Sequence, residues 1–143
     1  MADLAAIREA LAEALSVIPD VQVNAYMLGS PTPPCIEVSP GPITYDQAFQ
    51  RGHDLLEFNV RALVGMQTDI GAQKQLDQFI APSGPLSVKS AIEAKDSTGR
   101  ATLGGVVFDA WVRSNAGHRG YEMRVGSVYL GTEWTVQVRA PSQ

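Results

Sequence analysis

The sequence predicts a single α+β domain in which about three helices pack on a mixed, mainly antiparallel β-sheet. The chain has 143 residues, of which 45% are hydrophobic, enough for one core and too many for a disordered chain. Apolar residues recur at helical spacing at the start and in the middle of the chain. Between and after these segments, apolar and polar residues alternate, as is typical of strands. This order is typical of helices packed on an antiparallel sheet. No repeat or linker divides residues 1–143, so we expect one domain.

Residues 3–18 predict an amphipathic helix. Its apolar residues recur at spacings of three and four and therefore share one face, namely Leu4, Ile7, Leu11, Leu15 and Ile18. Asp3 can cap the first turn, and Pro19 cannot continue the helix.

The first group of strands follows this helix. Alternation predicts a strand over 21–28 and a short second strand over 35–38, which Ser39-Pro40-Gly41-Pro42 should break. Residues 43–53 predict a long loop. Residues 54–64 predict a strand that ends at Gly65 and directs Leu56, Phe58, Val60, Ala62 and Val64 to one face.

The second half of the chain predicts two helices and then further strands. The first helix covers 69–80, with Thr68 or Asp69 as cap and its inward residues at Ile70, Leu76, Phe79 and Ile80. The second covers 86–94. Strands are expected over 106–114, 121–125, 127–130 and 132–139, and alternation in the last of these assigns Trp134 to the core.

Composition limits the classes of function. The net charge is −4 and the basic residues are scattered, so a free-standing DNA-binding protein is not expected. This composition is still compatible with a protein that lines a DNA channel. The single cysteine, Cys35, lies in an apolar run and is predicted to be buried. No signal peptide and no stretch of about 20 apolar residues is present, so no membrane span is expected.

No pattern predicts catalysis. His53 and His118 lack further ligands at a spacing that suggests zinc, and no Gly-x-Ser-x-Gly motif surrounds Ser30 or Ser127. Gly104-Gly105 enters a strand, whereas a phosphate-binding loop enters a helix. We therefore expect no catalytic residues, no cofactor, no metal and no enzymatic activity.

Some aromatic and arginine residues fall outside the core pattern and predict contact surfaces. They lie in the loop 43–53, on the mixed face of the strand around residue 111 and in the segment 115–126. They are Tyr45, Phe49, Arg51, Trp111, Arg113, Arg119 and Tyr121. For Tyr45 and Phe49, packing back onto the core is an equally good interpretation.

The order and spacing of several segments resemble the tail terminator proteins of long-tailed phages (siphoviruses) of actinobacteria. The matching segments cover nearly the whole chain and are residues 4–11, 33–34, 43–46, 51–52, 76–84, 87–89, 91–93, 102–105 and 129–133. The connection 96–105 is longer than the compact Asp-x-Thr-Leu-Gly-Gly of such relatives, so we expect a variable loop there.

The resemblance implies a structural role in the virion. Such proteins form hexameric rings that cap the head-proximal end of the tail tube, end its polymerisation and join the tail to the head. The implied partners are further copies of the chain, the major tail tube protein and a head-closure or neck protein. Genomic double-stranded DNA would pass through the ring without sequence-specific binding. Alternatives are another neck component, a small ligand-binding domain and a protein-binding domain of host origin.

Overall fold

The computed structural model describes residues 3–27, 32–45, 53–66, 68–124 and 127–141. These residues form a single α+β domain with three helices and a mixed sheet of six strands, as predicted. In chain order the elements are α1 (Leu4–Leu15), β1 (Gln22–Asn24), β2 (Cys35–Thr44), β3 (His53–Met66), α2 (Ile70–Ile80), α3 (Val88–Ile92), β4 (Asp109–Asn115), β5 (Arg119–Arg124) and β6 (Ser127–Pro141).

The sheet is organised around two long antiparallel strands, β3 and β6. The strand order is β1-β2-β3-β6-β4, and β5 pairs with β6 beside β4. Among the described strands, β1 and β2 are the only pair that runs parallel. On its outer side, β6 pairs with β4 through residues 134–139 and with β5 through residues 127–131. Therefore β4 and β5 follow one another along a single edge of the sheet.

One face of the sheet carries the core. The alternate residues of β3 that were predicted to face inward are all buried, and so are Trp134, Val136 and Val138 of β6. They form one cluster with Ile7, Leu11 and Leu15 of α1 and with Leu76 and Phe79 of α2. Helix α1 packs over β1 and β2, α2 over β3 and β6, and α3 over β4. The helices therefore cover one face of the sheet, and no described helix covers the other.

The helix starts agree with the predicted caps, but two predicted inward residues are wrong. Asp3 accepts a hydrogen bond from the backbone N–H of Ala6 at 2.7 Å, and Asp69 accepts one from Gly71 at 2.9 Å. Leu4 is 39% exposed and Ile70 is 67% exposed, and each is the first residue of its helix. Helix α3 is shorter than predicted, and its cap is Ser87.

The prolines at 40 and 42 do not end β2, contrary to expectation. The strand continues to Thr44 with a register shift between Pro40 and Ile43. Strand β1 pairs only with residues 35–37, and no other described strand pairs with the second half of β2 on that side. Proline is tolerated there because its missing N–H is not needed for pairing. Consequently the ends of the predicted loop 43–53 are strand, and residues 46–52 lie outside the described ranges.

The glycines at 65 and 131 do not interrupt their strands either. Strand β3 passes Gly65 with a bulge and ends at Met66, and the two strands predicted at 127–130 and 132–139 are one strand, β6. A Cβ atom at Gly131 would clash with the carbonyl oxygen of Ala62 and lie 2.8 Å from Leu63 Cδ2. Gly131 therefore permits close approach of β3 and β6 instead of a turn.

In contrast, β4 begins later in the chain than predicted. Residues 106–108 belong to a turn that includes Leu103 and two glycines at positive φ, so β4 begins at Asp109. Between β4 and β5, the hydroxyl of the buried Thr132 donates to the carbonyl of Gly117 at 2.6 Å. The Asn115 side chain donates to the carbonyl of Glu133 at 3.2 Å. These bonds hold the two short strands in line along β6.

Candidate assembly surface

Four of the seven predicted contact residues lie along the β4–β5 edge of the sheet. Trp111 and Arg113 belong to β4, and Arg119 and Tyr121 belong to β5. Both strands pair with β6, so a rigid element positions all four. Tyr45 lies apart from them, directly after the end of β2, and both β3 and β6 lie between β2 and β4. Phe49 and Arg51 fall outside the described residues.

Arg113 and Arg119 are exposed and available for contacts. Arg113 stands at the register shift between Val112 and Ser114, where the extra residue is released from regular pairing. Arg119 stands opposite Gly131, which has no side chain to compete with it. Neither guanidinium forms an ion pair within the described part of the chain. Within the described residues, the edge therefore presents two positive charges without an ion-pair partner.

Trp111 and Tyr121 are half-buried, so each shows only part of its ring. The guanidinium of Arg139 lies 5.6 Å from the centre of the Trp111 ring, and that of Arg61 lies 5.6 Å from the Tyr121 ring. Burial, with the nearby negative charge of Glu133 adding to it, raises the pKa of Tyr121 to about 12. At neutral pH the Tyr121 hydroxyl is therefore uncharged.

The face of the sheet opposite the helices carries paired polar groups. Glu37 is fully buried, and one of its carboxylate oxygens accepts a bond from Arg61 at 2.6 Å. Gln137 donates to Glu57 at 3.2 Å, and Arg139 donates to Asp109 at 2.8 Å. Glu57 and Arg61 alternate with the predicted inward residues of β3 and are therefore expected on this face, whereas Glu37 was not predicted there. A charged residue inside the short apolar strand 35–38 was the signal that could have found it.

Tyr45 is 70% exposed and lines an open groove of about 470 Å³ at the start of α1. Leu4, Ile43, Leu56 and Pro141 also line this groove. The described surroundings of Tyr45 leave most of its side chain in solvent, so the interpretation that it packs back onto the core is wrong.

A second open groove, of about 570 Å³, lies between α1, α3 and the segment 94–106. Its walls are made largely of small residues, among them Ala6, Ala10 and Ala91, and Glu9 and Glu13 stand on its α1 side. The charged residues of its lining, Glu9, Glu13, Lys95 and Asp96, are all exposed. A small ligand is usually oriented by polar groups that converge in a desolvated pocket, and these charged groups are not of that kind.

The longer connection 96–105 is organised by Asp96. Its carboxylate accepts hydrogen bonds from the N–H and hydroxyl of Thr98, at 2.8 and 2.5 Å, and from the hydroxyl of Thr102 at 2.5 Å. These bonds, that from Thr102 foremost, lower the pKa of Asp96 well below its usual range. Asp96 therefore serves as an acceptor within its own loop.

The side chains with reactive potential are few and separated. Cys35 is buried as predicted, and burial raises the pKa of its thiol to about 11, so that the nucleophilic thiolate is disfavoured at neutral pH. His118 lies on the surface and bonds to Asp77 at 2.8 Å, which links the β4–β5 connection to α2. Among the described residues, no group of three or more histidine, cysteine or acidic side chains is arranged to hold a metal ion.

None of the helices in the described ranges has the length and apolar character needed to cross a membrane. In comparisons with known proteins, no protein-family model and no curated protein sequence matches this chain significantly.

Proposed function

We propose that this chain is a structural subunit of a phage tail, a tail-terminator-like protein that acts by assembling into a ring. The observation that carries the proposal is the β4–β5 edge. There, two exposed arginines without ion-pair partners among the described residues and two half-exposed aromatic rings stand on two strands that both pair with β6. Arginine, tryptophan and tyrosine are the residues most enriched at the energetic centres of protein interfaces.

A ring of identical subunits uses a heterologous interface, in which one side of a subunit meets a different side of the next. The β4–β5 edge supplies one such side. The groove at the start of α1, with the exposed Tyr45 and Leu4, supplies an apolar contact patch elsewhere on the subunit. Such a subunit, presenting different surfaces to its neighbours, to tube protein and to neck protein, would cap the tube and join it to the head.

The order and spacing of sequence segments support the terminator role in particular. A further neck component, such as a head-closure or connector protein, remains the main alternative because it would use the same kinds of surface. The two roles differ in where the purified protein binds. A terminator caps isolated tail tubes, whereas a head-closure protein binds DNA-filled heads.

Electron microscopy of the purified protein with tube protein tests the proposal. We expect rings alone or at tube ends, and tubes that stop growing when the protein is present. Arg113→Glu combined with Arg119→Glu should abolish capping, because it replaces both positive charges on the β4–β5 edge with negative ones.

The matched control combines Lys74→Glu with Arg100→Glu. Both residues are exposed and lie outside β4 and β5, in α2 and in the connection 96–105, and the change in net charge is the same. We expect this control to cap tubes as the parent does, and both double variants to keep the parent's circular dichroism spectrum. A parent protein that leaves tube growth unaffected, or that binds only filled heads, would overturn the terminator assignment.

A further inference from the structure

Strand β4 is the outermost strand of the sheet over residues 109–115. An outer strand exposes backbone N–H and C=O groups that can pair with a strand of another molecule. In this structure one of those groups is already hydrogen-bonded to a side chain. The carboxylate of Glu93, at the end of α3, accepts a hydrogen bond from the backbone N–H of Val112 at 2.8 Å.

The carboxylate is held in place on both oxygens. Its second oxygen accepts a bond from Lys89 Nζ at 2.6 Å, one helical turn earlier. The Glu93 side chain is 28% exposed, so solvent reaches it at this edge of the sheet. A carboxylate also repels the carbonyl oxygens that an incoming strand would bring.

The sequence of β4 around Val112 is complementary to itself in an antiparallel pair. Residues 109–113 read Asp-Ala-Trp-Val-Arg. Antiparallel pairing of two copies centred on Trp111 would place Asp109 of each copy opposite Arg113 of the other, and Ala110 opposite Val112. Opposite charges and aromatic rings directly across two strands stabilise their pairing. Arg113 is exposed at the bulge of β4 and has no ion pair within the described residues, whereas Asp109 is bonded to Arg139 at 2.8 Å, so in this pairing its carboxylate would be shared between Arg139 and Arg113 of the second copy.

In that arrangement the Val112 N–H would donate to the carbonyl of Ala110 in the second copy, and the same N–H is bonded to Glu93 in this structure. From these observations we propose that the edge of β4 is a two-fold self-association surface for a second copy of this chain, and that Glu93 keeps it closed. A two-fold contact differs from the heterologous contact of a ring, so this inference does not depend on the proposed function.

Light scattering over a range of protein concentrations tests the inference. Glu93→Ala should self-associate about tenfold more tightly than the parent, with a dimer as the new species. Glu93→Gln retains an oxygen that can accept from Val112 and should behave as the parent. Lys89→Ala removes the same ion pair but leaves the carboxylate, so it is the matched control and should also behave as the parent.

A second variant keeps the result interpretable if Glu93→Ala precipitates. Adding Arg113→Asp to Glu93→Ala places like charges opposite one another in the proposed pairing and should suppress both the dimer and any precipitate. Hydrogen exchange should show residues 110–112 becoming more protected as Glu93→Ala is concentrated. The inference fails if Glu93→Ala associates no more than Lys89→Ala, or if its association or precipitation is unchanged by Arg113→Asp. A terminator that caps tubes normally would survive either failure.

Discussion

The two faces of the sheet are stabilised in different ways. On the helix-covered face, Phe58, Val60 and Val136 are completely buried among apolar neighbours. On the opposite face, the same two central strands carry Glu57 bonded to Gln137 and Arg61 bonded to Glu37. A one-residue shift along β3 or β6 therefore changes the environment from apolar to ionic.

This difference teaches which substitutions each face tolerates. Burial of apolar groups is non-directional, so the covered face depends on filled volume. Ion pairs are directional, and a buried charge that loses its partner is costly. The covered face should therefore be sensitive to the size of each side chain, and the open face should be sensitive to whether both members of a pair are present.

The largest effect is expected from truncation on the covered face. Phe58→Ala should lower the free energy of unfolding by about 3–5 kcal/mol, because it removes buried contacts and leaves a cavity. Urea unfolding followed by tryptophan fluorescence measures this loss. Phe108→Ala is the matched control, since Phe108 is 42% exposed and should cost much less. Equal losses in the two variants would contradict the assignment of the covered face as the core.

A smaller effect with a distinctive pattern is expected on the open face. Arg61→Met should lower the free energy of unfolding by about 3 kcal/mol, because it leaves the carboxylate of Glu37 buried without this partner. Adding Glu37→Met should restore much of the loss, since an apolar pair of similar size replaces the ion pair. A double-mutant cycle in urea measures the coupling. Additive losses would show that the two residues act independently.

The smallest effect concerns Cys35, which is buried on the open face opposite Leu63. Its pKa is raised from 9.0 to about 11, so the folded chain keeps the thiol protonated where the unfolded chain loses the proton. The stability is complete below pH 9 and falls between pH 9 and 11, by about 2 kcal/mol. Urea unfolding at pH 7, 9 and 11 measures this. Cys35→Ala should fall less steeply with pH, and the same slope in both proteins would refute the shift.

Local patterns predicted much of the fold. The inward residues of β3, the core position of Trp134 and the caps Asp3 and Asp69 all follow from period and capping chemistry, because these depend on residues close in the chain. Where the patterns failed, the local structure depended on contacts with a neighbouring strand. The short reach of β1 allows β2 to continue through Pro40 and Pro42, and the closeness of Ala62 explains Gly131.

The candidate contact residues show the same division. Aromatic and arginine content identified Trp111, Arg113, Arg119 and Tyr121, but only the pairing of β4 and β5 with β6 places them along one edge. Glu93 was not identified at all. Its role depends on Val112, which lies 19 residues away in the sequence.

By itself, then, the sequence determined the fold class, the apolar face of each long strand, the starts of the first two helices and the burial of Cys35. Each of these follows from hydrophobic spacing or from bonds within a few residues. Only the tertiary structure decided which strands have free edges, which charges are paired across the open face, and which backbone group Glu93 protects. Those features arise from contacts between segments distant in the chain, which no local pattern records.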